Sequence, residues 1–289
     1  MQTVLQYVAN GLMVGGIYSL SALGIVLVYK STSVFNFAIG QMMMLGAFFL
    51  WTCVDVFNLP IWISVIIAMA GGVIVGMLIE RLTLRPLIGQ PLLSAVLATL
   101  ALSYFLNGVT IGIWGAYQQK LPEFLPGALT IGGVVFSNDL LWSFVIAMIL
   151  FVILFVFYQR TKTGLLMRAT AESHQVAQAR GIKVRTIFSW SWALCGFVAA
   201  VGGMLLALRL GVSQYIALVG LQAFPAVLFG GLESIPGAIV GGLVVGLLQN
   251  LAGGLIAPWL METTPYVILL LVLIFRPEGL FGEKRIERI

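Results

Sequence analysis

Charged and Pro/Gly-rich points cut the chain into long apolar runs near residues 5 to 29, 35 to 54, 61 to 79, 92 to 114, 140 to 158, 187 to 208, 215 to 231, 236 to 257 and 260 to 275. A run of about 20 apolar residues is what a helix needs to cross the hydrocarbon core of a bilayer. The pattern therefore predicts an all-α, polytopic transmembrane bundle of eight to nine spans joined by short connectors. Two runs stand apart. The stretch from 215 to 231 is short, carries Pro225 and ends in Gly230-Gly231, which predicts a broken or re-entrant helix buried against protein. The last run is short as well.

Composition closes off the soluble alternatives. Of the 289 residues, 61% are hydrophobic and 9% charged, against roughly 45 to 50% apolar and about 25% charged in a soluble domain. No extramembrane catalytic or nucleotide-binding domain fits in what remains. The opening MQTVLQYVANG lacks a basic leader and an A-x-A cleavage site, so it is expected to be a retained first helix. Cys53 and Cys195 both fall inside apolar runs and read as small core residues.

The net charge of +5 matters through its placement. If the first helix enters from outside and every run spans, the inside loops collect Lys30, Arg81, Arg85, Arg160, Lys162, Arg168, Arg180, Lys183, Arg185, Arg276, Lys284, Arg285 and Arg288, leaving Lys120 and Arg209 outside. That asymmetry predicts a cytoplasmic loop at 159 to 186 and a cytoplasmic carboxyl terminus. Glycines recur at helix-packing spacing, in the pairs Gly11 and Gly15, Gly72 and Gly76, Gly108 and Gly112, Gly237 and Gly241, and Gly242 and Gly246. Such pairs let helix backbones approach closely within a bundle; a subunit interface or a substrate-facing groove is their other use.

The chemistry of an enzyme is missing from the sequence. There is no G-x-x-x-x-G-K-[ST] loop to cradle ATP, no H-E-x-x-H, and no serine in a nucleophile motif within a span. The single histidine, His174, reads as a solvated loop residue. The spans are nearly free of charge, with Asp55, Glu80, Asp139, Arg209, Glu233 and Glu262 at predicted ends, where they are expected to act as interfacial anchors. No catalytic, metal or cofactor site is expected in the chain.

The loop TGLLMRATAESHQVAQARGIKV, starting at Thr163, is too polar to span and too helix-prone for a plain linker. Ser173 suits an N-cap and Gly181 the residue just past a helix end, which predicts a helix of about two turns between them. Val176 and Ala177 would then pack inward, with Gln175, Gln178 and Arg180 facing out. A short helix so placed either receives a push from a soluble partner or is an ordinary basic connector.

Six stretches together resemble the branched-chain amino-acid permease family of ATP-binding-cassette importers, in particular its shorter, LivH-like permease. They are GLMVGGIYSLSALG at 11 to 24, NFAIGQMMMLGAF at 36 to 48, ERLTLRPL at 80 to 87, MRATAESHQVAQARGI at 167 to 182, GGLESIPGAIVGG at 230 to 242 and RPEGLFG at 276 to 282. The resemblance implies a single permease domain over 1 to 289 in a bacterial inner membrane. It also implies a second related permease, two cytoplasmic ATPase subunits that use the ATP, and a periplasmic substrate-binding protein. The loop at 159 to 186 becomes the ATPase-coupling element, with Arg168, Glu172, Ser173, His174, Gln175, Gln178, Arg180 and Gly181 as its working residues. Ile39 and Gln41 stand where the family's NFAHGE pattern has His and Glu, so an ionisable group there is not essential to the implied mechanism.

A pathway for a branched-chain amino acid must accept an apolar side chain and pass a zwitterion, which an apolar lining with scattered neutral polar groups can do. The candidates are Tyr18, Asn36, Gln41, Asn107, Gln222 and Gln249. For each, a plain interhelical hydrogen bond of ~0.6 kcal/mol is the competing role. The competing function is an ion-coupled carrier or channel for small amphiphilic solutes such as urea or amides, and a membrane scaffold or enzyme subunit stands further off.

Overall fold

A computed structural model describes residues 2–88 and 90–282 of the chain. Lys284, Arg285 and Arg288, three of the charges assigned to the inner side, lie outside the described residues. The apolar runs fold as helices α1 (Gln2–Thr32), α2 (Ile39–Trp51), α3 (Ile61–Ile79), α4 (Leu92–Trp114), α5 (Asn138–Arg160), α8 (Val184–Leu210), α11 (Ile235–Leu255) and α12 (Leu260–Phe275). The loop between α5 and α8 holds α6 (Lys162–Glu172) and α7 (His174–Ala179). The run with Pro225 is split into α9 (Tyr215–Leu221) and α10 (Ala223–Gly230), as its composition suggests. Among the described residues seven helices are long and apolar enough to cross a bilayer, and the two shorter apolar segments are Tyr215–Gly230 and Leu260–Phe275, the two marked by sequence.

Some local structure departs from the sequence expectation. α2 and α3 do not stop at the ends of their apolar runs but continue into π turns at Thr52–Val56 and Glu80–Leu84. Between α4 and α5 lies a hairpin, β1 (Ala128–Ile131) and β2 (Val134–Ser137), antiparallel with Ile131 opposite Val134. Its two-residue loop needs positive φ at both positions to match the strand twist, and Gly132 (φ 60°) and Gly133 (φ 82°) supply it.

The contacts divide the chain into two compact units. The first comprises the described residues of Met1–Val26, Leu125–Ile149 and Gln222–Ile289, the second Leu27–Phe124 and Leu150–Leu221. In the first unit α1 crosses α11 with their backbones nearly touching. A Cβ on Gly11 would fall 2.8 Å from Leu247 Cα, and one on Gly15 would fall 2.8 Å from the Gly242 carbonyl oxygen. Ser19 fastens the crossing, its hydroxyl donating to the carbonyls of Gly15 (2.8 Å) and Ile239 (3.0 Å). Gln6 binds the hairpin edge, donating to Val135 O (2.6 Å) and accepting from Val135 N (2.8 Å). α11 starts at the cap Ser234, which accepts from Gly237 N (3.0 Å). The RPEGLFG stretch returns to the end of α10, where Leu280 N donates to Phe229 O (2.9 Å) and Phe281 N to Gly230 O (3.1 Å).

In the second unit α8 is the central post. Gly72 and Gly76 of α3 face Gly196, Ala200 and Trp192 of α8, and Gly46 of α2 faces Ala200. Gly203 of α8 lies against the backbone of Met43. The core around them holds Met42, Met43, Met44, Phe48, Trp192 and Cys195, all buried. Both cysteines are free and buried, as expected. Trp114 of α4 stacks on Phe48 at 5.2 Å and donates its indole N–H to Thr52 (2.7 Å). The outer faces of α3, α4 and α5 expose large apolar side chains such as Trp62, Leu93 and Ile149, a surface suited to hydrocarbon rather than water.

Glu80 corrects the expectation of an interfacial anchor. It is 1% exposed, and its carboxylate accepts from Arg85 Nε (3.2 Å), Arg85 Nη2 (3.0 Å) and Ser189 Oγ (2.7 Å). A buried carboxylate persists only where it is paired and fully hydrogen-bonded, so the E and R of the ERLTLRPL stretch are partners.

Four of the five glycine pairs make these close approaches, whereas Gly108 and Gly112 have nothing within 4 Å of a built Cβ. Gly76→Leu, placed against Trp192, should therefore destabilise the chain by about 1–3 kcal/mol or more, and Gly112→Ala should leave it unchanged or slightly more stable. Thermal unfolding of the two purified variants, followed by loss of the monodisperse peak in gel filtration, separates them.

Candidate functional site

Pro225 has no N–H to return to the Leu221 carbonyl, and its ring would collide with that carbonyl in a continuous helix. The helix accordingly breaks at Gln222, which takes the cap position of α10 (φ −67°, ψ −9°). Its side chain meets two others of the first unit. Tyr18 of α1 donates its hydroxyl to Gln222 Oε1 (2.5 Å), and Gln249 of α11 donates its amide to the same oxygen (3.2 Å). All three residues are buried. Gln249 Oε1 is enclosed and has no hydrogen-bond partner. An unmet buried acceptor costs about 1–3 kcal/mol, so this oxygen is a standing demand for a donor such as an ammonium group or water.

Three of the six pathway candidates thus come together. The other three belong to the second unit. Asn36 is fully buried and saturated: Oδ1 accepts from Ala38 N (3.0 Å), while Nδ2 reaches Met42 Sδ and Cys195 Sγ (3.4 Å each). Gln41, in the first turn of α2, is half-buried and leaves Oε1 enclosed without a donor. Asn107 is half-buried on α4. Sequence reasoning passed over Gln214, whose Nε2 is likewise buried and unpartnered. The available signal was an amide at the very start of an apolar run, one residue before α9.

The loop between α5 and α8 is two capped helices. Thr161 caps α6 by accepting from Gly164 N (3.0 Å), and Met167 and Thr170 bury its inner face. Arg168 is held at the other side, donating to the Gln159 carbonyl (3.0 Å) with its guanidinium 5.9 Å from the Tyr158 ring. Ser173 caps α7, accepting from Val176 N (3.3 Å). At the far end Gly181 takes φ 80°; Ile182 N donates to Ala177 O (3.0 Å) and Gly181 N to Gln178 O (2.9 Å). That pair of bonds is a Schellman closure, so both ends of α7 lie where the sequence put them.

Two side chains of α7 differ from expectation. Val176 does not pack inward; it is 60% exposed, and Ala177 alone turns in, joining Val184 and Phe188. His174 is not a solvated loop residue. Its Nε2 lies 3.1 Å from the Ser31 carbonyl, and its ring meets Phe188 edge-on at 5.3 Å. A six-residue helix has room for one inward position per turn, and here the imidazole takes the place given to valine. Glu172, Gln175, Gln178 and Arg180 are exposed. α7 therefore has a rigid frame, an anchor onto the last turn of α1, and a polar outer face.

The family described as Branched-chain amino acid transport system / permease component matches residues 7–275. The high-affinity branched-chain amino acid transport system permease protein BraD of Pseudomonas aeruginosa is 30% identical over 300 residues, covering 99% of this chain and 98% of that one. The corresponding LivH protein of Escherichia coli K12 is 27% identical over 302 residues, covering 99% and 97%. With the match running from α1 to the end of α12 and through five of the six stretches that carried the resemblance, the chain belongs to the branched-chain amino acid transport permease family.

Proposed function

We propose that this chain is the membrane-spanning permease subunit of an ATP-driven importer for branched-chain or other neutral amino acids delivered by a periplasmic binding protein. The family match over residues 7–275 carries this reading. It is a multi-pass transport subunit and not an enzyme. Its assembly includes a second, related permease and two cytoplasmic ATPase subunits in a bacterial inner membrane. The sequence has no P-loop, so ATP is bound and hydrolysed by the partners, with no cofactor in this chain. The basic loop at 159 to 186 and the carboxyl terminus face the cytoplasm, in keeping with the charge asymmetry.

Tyr18, Gln222 and Gln249 are the polar station of the pathway in the first unit. Gln249 Oε1 accepts from the substrate ammonium, and the surrounding apolar side chains receive the aliphatic group. In the second unit Gln41 and Asn107 remain as pathway groups, whereas Asn36 is held by Ala38, Met42 and Cys195 and serves the structure. Every group is neutral, so a zwitterion is briefly solvated without being trapped by a full charge. Energy enters at α7. Glu172, Gln175, Gln178 and Arg180 engage the ATPase, Arg168 braces α6, and Ser173 and Gly181 keep α7 a single rigid piece. His174 passes displacement to Ser31, which lies on the same uninterrupted helix as Tyr18.

Affinity purification of the tagged chain should bring ATPase subunits with it, and leucine uptake into liposomes should require them and ATP. Uptake by the chain alone under an ion gradient would refute the reading. Gln249→Leu removes the open acceptor while Tyr18 still holds Gln222; uptake by the assembled importer should fall roughly five- to ten-fold, the worth of one hydrogen bond, with normal expression. Ala177→Pro deletes the Ala177 N to Ser173 O bond (3.0 Å) at a local cost of ~3 kcal/mol. Substrate-stimulated ATP hydrolysis and uptake should then fall together in a correctly inserted complex.

A further inference from the structure

Within the second unit, two hollows of different chemistry adjoin at the end of α3, one between α3 and α4 and one closed by the residues after α1, by α7 and by the start of α8. One is a groove of about 630 Å³ between Val75, Leu78 and Leu82 on the α3 side and Ala98, Ala101 and Phe105 on α4; Thr83 is its sole polar residue. The other is a cavity of about 410 Å³ whose wall includes Glu80, Arg85, Arg185, His174, Gln178 and Trp192. The two share the same elements. Ile79 lines the groove and Glu80 the cavity, Thr83 the groove and Leu84 the cavity, and on α4 Ala98 and Ala95, one turn apart, divide the same way. Apolar trough and charged cup therefore lie side by side along the end of α3 and the start of α4.

The cup is short of negative charge. Glu80 is neutralised by Arg85, which uses Nε and Nη2 on it and keeps Nη1 for another acceptor. Among the described residues no acidic group pairs with Arg185, which is exposed at the cup. Arg81 is exposed on the same π turn. Trp192, fully buried, closes the inner wall of the cup. Two arginines against one glutamate thus leave positive charge in excess around a cavity within the size range of ligand sites.

We infer that this feature is a seat for one anionic phospholipid, its phosphate in the cup against Arg85 and Arg185 and an acyl chain along the α3–α4 groove. A phosphate offers only acceptors and negative charge, which is what Arg85 Nη1 and Arg185 lack. Basic pockets between spanning helices at the cytoplasmic side hold such headgroups. The inference rests on the orientation proposed above, which puts this end of α3 at the cytoplasmic leaflet. Because His174 and Gln178 of α7 share the cup, the headgroup also touches the coupling helix.

The test uses the assembled importer, delipidated in detergent and incubated with equal amounts of phosphatidylglycerol and phosphatidylcholine of identical acyl chains. Bound lipid is counted by mass spectrometry after gel filtration. Phosphatidylglycerol should be retained about five-fold over phosphatidylcholine, the preference expected from one unpaired basic residue. Arg185→Gln should bring the ratio near one, and Ala101→Phe, which fills the exposed groove, should lower retention of both lipids. A ratio near one in the unaltered complex, or one indifferent to Arg185→Gln, overturns the inference. So does loss of the preference to competing inorganic phosphate, which would mark a site for free anion. Cross-linking of Ala101→Cys to a second permease chain would make the groove a subunit interface and overturn it as well. Lipid retention is read without transport, so failure of the substrate reading would leave this result standing.

Discussion

Lipid offers helices no hydrophobic reward for leaving it, so a bundle in a bilayer must be held by contact at short range. In this chain that contact is backbone against backbone. Gly11 and Gly15 meet Gly242 and Leu247 in one unit, and Gly72 and Gly76 meet Gly196 and Ala200 in the other. With so little side chain between the helices, their carbonyls become reachable. Ser19 can bond both its own helix and α11 because the crossing is that close. The placement of Tyr18 one residue earlier, and hence the polar station it forms with Gln222 and Gln249, depends on the same approach.

Polar groups are then deployed against an apolar ground, and each departure from it has a job. Asn36 is saturated and holds a turn between α1 and α2. Glu80 is saturated and holds the α3 end to α8 through Ser189. Gln41, Gln214 and Gln249, by contrast, each keep one buried atom unmet. That contrast separates the amide that is fully engaged by the fold from those that keep hydrogen-bonding capacity in reserve.

Much of this was legible in the sequence. Apolar runs fixed the helices, Pro225 the break at Gln222, and Ser173 and Gly181 the ends of α7, because each depends on neighbours within a few residues. The features that were not legible depend on distant partners. His174 and Ser31 are 143 residues apart, Ser189 and Glu80 are 109, and Tyr18 and Gln222 are 204. All six pathway candidates were named for their chemistry alone, yet only the fold shows that three converge and that Asn36 is already occupied. Val176 was misplaced for the same reason, since periodicity cannot say which of two adjacent residues a six-residue helix turns inward. The π turns and the hairpin escaped because both are short and fall at the margins of strong apolar runs.

The return of Leu280 and Phe281 to the end of α10 has a bearing on how the protein is made. The carbonyls of Phe229 and Gly230 find their amides some fifty residues later, after α11 and α12 have been synthesised. As the chain leaves the ribosome, α10 enters the membrane with that end unsealed and exposed to whatever donors the insertion machinery and water provide. Closure waits for the RPEGLFG stretch to emerge, so a chain truncated after Phe275 would keep the residues of α1 to α12 and lack the two amides that close α10.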